Sequence, residues 1–429
     1  MLSGNSSVRD LCRYNLFNSI AIAPACNLAF MDKLMLHMDL ELSFIGCIKG
    51  FMFLVPAILY FFMVPILRKL HADVKITLYC YFFRASLPIL LPVLALFTDN
   101  RAILTAACIF VLSAAMTLAA FANNSLMAIY RMAIPKESFN KNAGLIALCT
   151  NIPATTMGLP LAWLLDLCES APGYWFYIVF ALIHVFCVLF EIPAIKNMLK
   201  LPPLKYPPAE KHHRIRGAAW RPFADREYLP LLGLCLLNAI VYGIGSAYLI
   251  IYLLEERDFS MSMISIIALL LSLSFNILLP FAGRFADRIG YRRLFLYLSA
   301  AMLTGNILFC VFWGKNWVLL PFAILAWTGA GSIVGGVLTW GLNAAGSKLS
   351  RPNLSENYIA AFSFCYNGGL FLGSTVAGFL FGLSRAVGGP DIYHRYFLMV
   401  LPFPVLLFFC AAIYCVTAKK GALAQKMAK

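Results

Sequence analysis

The sequence predicts an all-α polytopic membrane protein, with twelve transmembrane helices in two pseudo-symmetric bundles of six. Three observations carry this. The 429 residues are 62% hydrophobic and only 12% charged, about half the charge of an ordinary soluble domain. The apolar residues fall into runs of about 20, the length that crosses ~30 Å of hydrocarbon as a helix. Most of the 34 Lys and Arg sit on one set of loops and tails, the asymmetry that marks the cytoplasmic side.

Taken in order, residues 1–13 form a short polar tail with Arg9 and Arg13. The first six spans are read at roughly 14–36, 43–66, 76–97, 102–124, 143–165 and 174–195. The second six lie at roughly 228–254, 262–282, 294–313, 317–342, 358–383 and 394–417. An even count agrees with both termini being cytoplasmic. The first apolar run continues into a full span, so no cleavable signal peptide is read there. Residues 196–227 contain Pro202, Pro203, Pro207 and Pro208 together with His212, His213, Arg214 and Arg216. Proline stiffens such a stretch and its charge keeps it out of the bilayer. It is read as a cytoplasmic linker between an N-terminal bundle, 1–195, and a C-terminal bundle with a short basic tail, 228–429.

The halves resemble each other. Pro65 and Pro280, each between the second and third spans of its half, are 215 positions apart. Pro135 and Pro352, each before the fifth span, are 217 apart. Asn18 and Asn238, in the first span of each half, make a weaker third pair. Matching offsets near half the chain length indicate an internal repeat.

The net charge of +15 follows the membrane topology and implies attraction to anionic lipid, not nucleic acid. The 13 cysteines are scattered in apolar spans without CxxC or metal-ligand spacing, and read as small buried hydrophobes. No GxSxG, HExxH or phosphate-cradling glycine loop is present, so neither an enzyme nor an ATP-driven pump is expected, and no cofactor.

The loop between spans 8 and 9 is the most specific feature. Residues 283–293 run G-x-x-x-D-R-x-G-x-R-R, with Arg284, Asp287, Arg288, Arg292 and Arg293 supplying five charges in eleven positions. Gly283 allows close helix approach and Gly290 can take a positive φ in the turn. Asp287 can face arginine or a helix N-terminus, where the dipole favours an anion. This pattern resembles the signature loop of the major facilitator superfamily of transporters, and with the twelve spans, basic linker and paired halves the resemblance extends over essentially the whole chain. It has departures. The first-half copy keeps Arg68, Lys69, His71 and Asp73 but lacks the glycines. The fifth-span motif and the fourth-span arginine of proton-coupled drug antiporters are poorly matched or missing.

The resemblance implies a secondary transporter that moves a small organic solute by alternating access, with spans 1, 4, 7 and 10 lining a central cavity. Alternatives are a transporter-like sensor or scaffold without transport, and a multidrug-type exporter. It implies gating roles for Gly283, Asp287, Arg288, Gly290 and Arg292. Candidate solute contacts are Asn27, Lys49, Asn238, Tyr242, Trp327, Thr328 and Ser332. Each asparagine can equally be interhelical glue, and Trp327 can be packing. Lys49 can bind an anion, pair with Asp32, or snorkel to the interface. Asp32 and Glu191, with His184, are the titratable groups placed to couple a proton or cation. Arg84 and Glu191 are expected to pair structurally. The expected setting is a bacterial inner membrane, with the chain as a monomer and the solute and membrane lipid as its partners.

Overall fold

A computed structural model describes residues 6–26, 28–69, 74–134, 139–169, 173–201, 220–312, 334–349, 355–389 and 391–417. The described residues are helical and contain no strand. Span 1 is built from α1 (Ser6–Ala21), α2 (Ala23–Cys26) and α3 (Leu28–His37). Its interruption falls beside Pro24, which cannot donate to the helix ladder. Span 2 is α4 (Leu42–Lys69). Span 3 is α5 (Val74–Ser86), a 3₁₀ turn at Leu87–Ile89 containing Pro88, and α6 (Leu90–Ala95). Span 4 is α7 (Arg101–Ala133), started by the Asn100 side chain accepting from the amides of Ala102 and Ile103. Span 5 is α8 (Phe139–Leu167), which carries Pro153 and Pro160 inside it. Span 6 is α9 (Gly173–Val188) and α10 (Glu191–Met198).

After the short α11 (Arg221–Ala224), span 7 is α12 (Leu229–Glu255), span 8 is α13 (Met261–Ile289) and span 9 is α14 (Tyr291–Val311). The described part of span 10 is α15 (Gly335–Leu349); span 11 is α16 (Ser355–Ala386). Span 12 is α17 (Ile392–Val400) and α18 (Pro402–Thr417). Among the described residues nine helices are long and apolar enough to cross a membrane. The three expected spans outside that set are 1, 5 and 10. Span 1 is broken into short pieces, span 5 carries Asn151, Thr155 and Thr156 among its apolar residues, and residues 317–333 of span 10 lie outside the described residues. Most of the central linker, 202–219, lies outside them too.

The chain forms two compact units. One comprises Met1–Glu41, Pro65–Arg214 and Leu253–Ser272; the other comprises Leu42–Val64, Ile215–Tyr252 and Leu273–Lys429. Each unit thus holds one segment from the opposite sequence half. In the first, the C-terminal end of span 5 meets the start of span 8: the Asp166 carboxylate accepts from the amides of Met261 and Ser262 at 2.8 and 2.9 Å, and from the Ser262 hydroxyl at 2.5 Å. This is a helix cap supplied from 95 residues away, with an anion placed at the positive end of α13. In the second unit, span 2 sits against spans 7 and 11. A Cβ on Gly46 would lie 2.8 Å from the Gly378 backbone, and one on Gly50 would lie 2.5 Å from the Thr375 hydroxyl. The Tyr248 hydroxyl donates to the Leu42 carbonyl at 2.7 Å.

Candidate functional site

The second unit builds its polar site from spans 7, 10 and 11. Asn238 is 1% exposed on α12, and its amide donates to the Thr339 hydroxyl on α15 at 2.9 Å. Thr339 in turn donates to the Gly335 carbonyl one turn earlier, at 2.9 Å, and lies near the Tyr366 side chain on α16. A threonine hydroxyl has one proton and two lone pairs; the proton is committed to Gly335 and one lone pair accepts from Asn238. The Asn238 carbonyl oxygen is buried and has no hydrogen-bond partner among the described residues. Tyr242, one turn along α12, lies against Gly335, where a Cβ would come 3.9 Å from its ring. The site therefore offers an open acceptor beside two tyrosine rings.

The first unit builds a larger network around span 1. The Asn15 carbonyl oxygen accepts from Tyr130 at 2.7 Å and Thr150 at 3.3 Å, while its amide donates to the Leu11 carbonyl at 2.8 Å. Tyr81 donates to Asn123 at 2.6 Å, and Arg84 lies 5.9 Å from the Tyr81 ring centre. Glu191 is fully buried, and neither carboxylate oxygen has a hydrogen-bond partner among the described residues. The Arg84 charge and the Tyr14 hydroxyl are close enough to interact with it electrostatically. The Tyr14 hydroxyl is itself buried without a described hydrogen-bond partner. Arg84 and Glu191 are thus neighbours, as the sequence suggests, but no direct ion pair between them is formed. His184 is fully buried, its Nδ1 3.0 Å from the Phe180 carbonyl and its ring stacked on Phe180.

The repeat pair Asn18 and Asn238 shares one chemical state: each is buried, and each has a carbonyl oxygen without a described partner.

The remaining sequence candidates divide. Lys49 is 3% exposed and its ammonium donates to the Ala247 carbonyl on span 7 at 2.6 Å. Asp32 is fully buried on α3, and its neighbour Lys33 pairs with Glu169. Gly290 has φ +81° and starts α14, matching the positive φ read from the sequence. Asp287 and Arg288 are exposed, Gly283 is half-buried, and Arg292 lies 5.6 Å from the Tyr414 ring centre. Asn27, Trp327, Thr328 and Ser332 lie outside the described residues. Sequence reading missed Thr339, Tyr366, Tyr14, Tyr130 and Asp166. Tyrosines inside apolar runs read as packing, and the partner of Asp166 is remote in the chain.

The Major Facilitator Superfamily profile matches residues 109–374 and 231–426, together well over half of the chain. No curated protein matches by sequence. Among solved structures, the nucleoside transporter NupG is similar at a TM-score of 0.68 and 14% identity, covering 96% of this chain and all of that one. A bacterial homologue of the human lysosomal transporter Spinster, in an inward-facing and unoccupied conformation, gives 0.62 and 16%, covering 98% of this chain and 97% of that one. At these identities the likeness is one of fold, and it agrees with the profile match: the chain is an integral membrane protein and belongs to the major facilitator superfamily of transporters.

Proposed function

We propose that the protein is a secondary active transporter that moves a small, polar or amphipathic organic solute by alternating access between an N-terminal bundle, 1–195, and a C-terminal bundle, 228–429. The observation that carries the solute class is the open Asn238 carbonyl oxygen beside the Thr339 hydroxyl and the tyrosines Tyr242 and Tyr366. A buried amide oxygen without a partner is costly, and a solute N–H or O–H relieves that cost. Aromatic faces next to it suit a ring-bearing solute, and nucleosides, named for the NupG neighbour, are one such class. The chain acts without enzymatic chemistry or cofactor, as a monomer in a bacterial inner membrane with both termini cytoplasmic.

Glu191 supports proton coupling as part of the same reading. Its buried carboxylate lacks a described hydrogen-bond donor, and a charge in that position is favoured only while it is compensated. Asp32 is the second coupling candidate. Asp287 in the 283–293 loop acts as a gate, holding one of the two access states when it faces a helix N-terminus.

A thermal-shift screen of the purified protein against nucleosides, sugars, amino acids, carboxylates and cationic drugs tests the solute class. Saturating the site at about 100 times Kd adds roughly 2.7 kcal/mol of stability. An uncharged ring solute should raise Tm, and Asn238→Leu should remove the rise while keeping the folded protein. Stabilisation by organic cations alone, unchanged in Asn238→Leu, would favour the multidrug alternative and reject this site.

A further inference from the structure

A cavity of about 540 Å³ lies within the second unit, between the basic-side half of span 8 and spans 9 and 10. It is separate from the Asn238 cluster. Its walls are apolar, with Phe281 and Phe285 from α13 and Tyr297 and Leu298 from α14. Its polar end is formed by Arg284 and Arg288, one helical turn apart on α13. Both arginines are exposed, and neither has a hydrogen-bond or ion-pair partner among the described residues. Asp287, beside them, is likewise exposed and does not pair with either.

Three features identify an occupant. First, the lining of α13 runs from Leu278 to Arg288, ten residues or ~15 Å by helical rise. Leu278 closes the apolar span 261–278, so this lining runs from the edge of the ~30 Å hydrocarbon layer into the headgroup zone, where a lipid phosphate lies. Second, the large apolar side chains that α13 brings to the cavity are exposed: Leu278, Phe281 and Phe285 are 44–58% exposed. Apolar surface of this extent in a membrane-spanning helix is matched by acyl chain, and a polar solute would gain no hydrogen bond along it. Third, guanidinium groups one turn apart present several N–H donors to a phosphate, which they bind more strongly than a neutral acceptor. They stand on the Lys/Arg-rich side of the chain, where anionic lipid is attracted.

The geometry points to a site for an anionic phospholipid of the basic-side leaflet, its phosphate between Arg284 and Arg288 and one acyl chain along Phe285, Phe281 and Leu278. This extends a general attraction of basic loops to anionic lipid into a built site with a defined depth and two named phosphate ligands. It also places a lipid against the 283–293 loop, so the headgroup charge meets the segment proposed to gate.

Native mass spectrometry of the full chain in detergent, titrated with phosphatidylglycerol and separately with phosphatidylcholine of the same acyl chains, tests the site. Phosphatidylglycerol should bind at least tenfold more tightly. Arg284→Gln with Arg288→Gln should bring the two lipids to parity, since both side chains are exposed and their loss leaves the fold intact. Leu298→Trp, which fills the apolar part, should weaken both lipids; if that variant does not fold, the arginine pair decides alone. Equal affinity of the wild type for the two lipids, or a preference that survives loss of both arginines, would overturn the proposal. A dimer in light scattering that Leu298→Trp dissociates would put a second copy of the chain in the groove and overturn it as well.

Discussion

The two units hold their helices together by different means. Among the described residues, the first unit buries Asp10, Asp32, Lys33, His184 and Glu191, and ties span 4 to spans 1 and 3 through tyrosine–asparagine bonds. Among its described residues the second unit buries one charged side chain, Lys49, and it also brings backbones into contact at glycine. A Cβ at Gly373 would lie 2.4 Å from the Ile240 carbonyl oxygen, and one at Gly369 would lie 2.5 Å from that of Leu236. In lipid there is little hydrophobic force between helices, so close packing and polar bonds are the two sources of association. The polar solution leaves groups that can change protonation; the glycine solution leaves a rigid seam with no room for a side chain. Charge sensitivity should therefore reside in the first unit, and steric sensitivity in the second.

The largest effect expected is at the glycine seam. Gly373→Val forces a side chain into the span 7 backbone and should destabilise by about 3 kcal/mol, the upper range for overpacking. Gly382, where a Cβ meets nothing within 4 Å, is the control: Gly382→Ala should be neutral or stabilise by up to about 1 kcal/mol. Thermal unfolding followed by labelling of the buried cysteines reads both. Equal Tm values for the two variants would break the contrast.

Next comes the buried carboxylate. Glu191→Gln preserves shape and removes the charge. In reconstituted vesicles it should lower concentrative uptake at least tenfold and flatten its pH profile, with folded yield unchanged. A shared loss of yield and uptake, or an intact pH profile, would make Glu191 a structural group.

The Asp166 cap should have a smaller effect. Asp166→Ala removes the acceptor for the Met261 and Ser262 amides, and loss of a cap of this kind costs about 1 kcal/mol. Hydrogen exchange at those two amides should accelerate roughly fivefold, in line with local opening. Unchanged protection would show that the contact contributes nothing to that helix end.

The smallest effect is at His37, which closes α3 beyond the apolar run. Burial, and then the nearby Lys33, push its imidazole below the ordinary value, with Glu169 opposing. The folded state therefore takes up this proton less readily than the unfolded chain. Its contribution to stability is fully present above the ordinary value of about 6.5 and is lost as pH falls below it. His37→Gln should reduce the fall in Tm between pH 7 and pH 5. An identical fall in the variant would remove His37 from the acid response.

These contrasts show which parts of the molecule are local in the sequence. The spans, the 283–293 loop and the positive φ of Gly290 are signals carried by adjacent residues, and they were readable. The breaks in spans 1 and 3 fall at Pro24 and Pro88, also local, but a hydropathy run does not register them. Asn238 and Glu191 were legible as buried polar candidates, because polar residues in apolar runs stand out. Its completion was not, because Thr339 is 101 residues from Asn238 and the Lys49 acceptor, Ala247, is 198 residues away. Of the two expected uses of Asn238, the structure shows interhelical glue, made through its amide.

Transport itself is tested most directly by counterflow. Proteoliposomes are loaded with an unlabelled solute that stabilises the protein, then diluted into a trace of the same solute carrying a radiolabel. An alternating-access transporter exchanges the two, so label should accumulate transiently above its external concentration and then decay, and Asn238→Leu should suppress the overshoot. Tight binding of that solute with no overshoot in the wild type would contradict transport and leave the protein a membrane sensor built on a transporter fold.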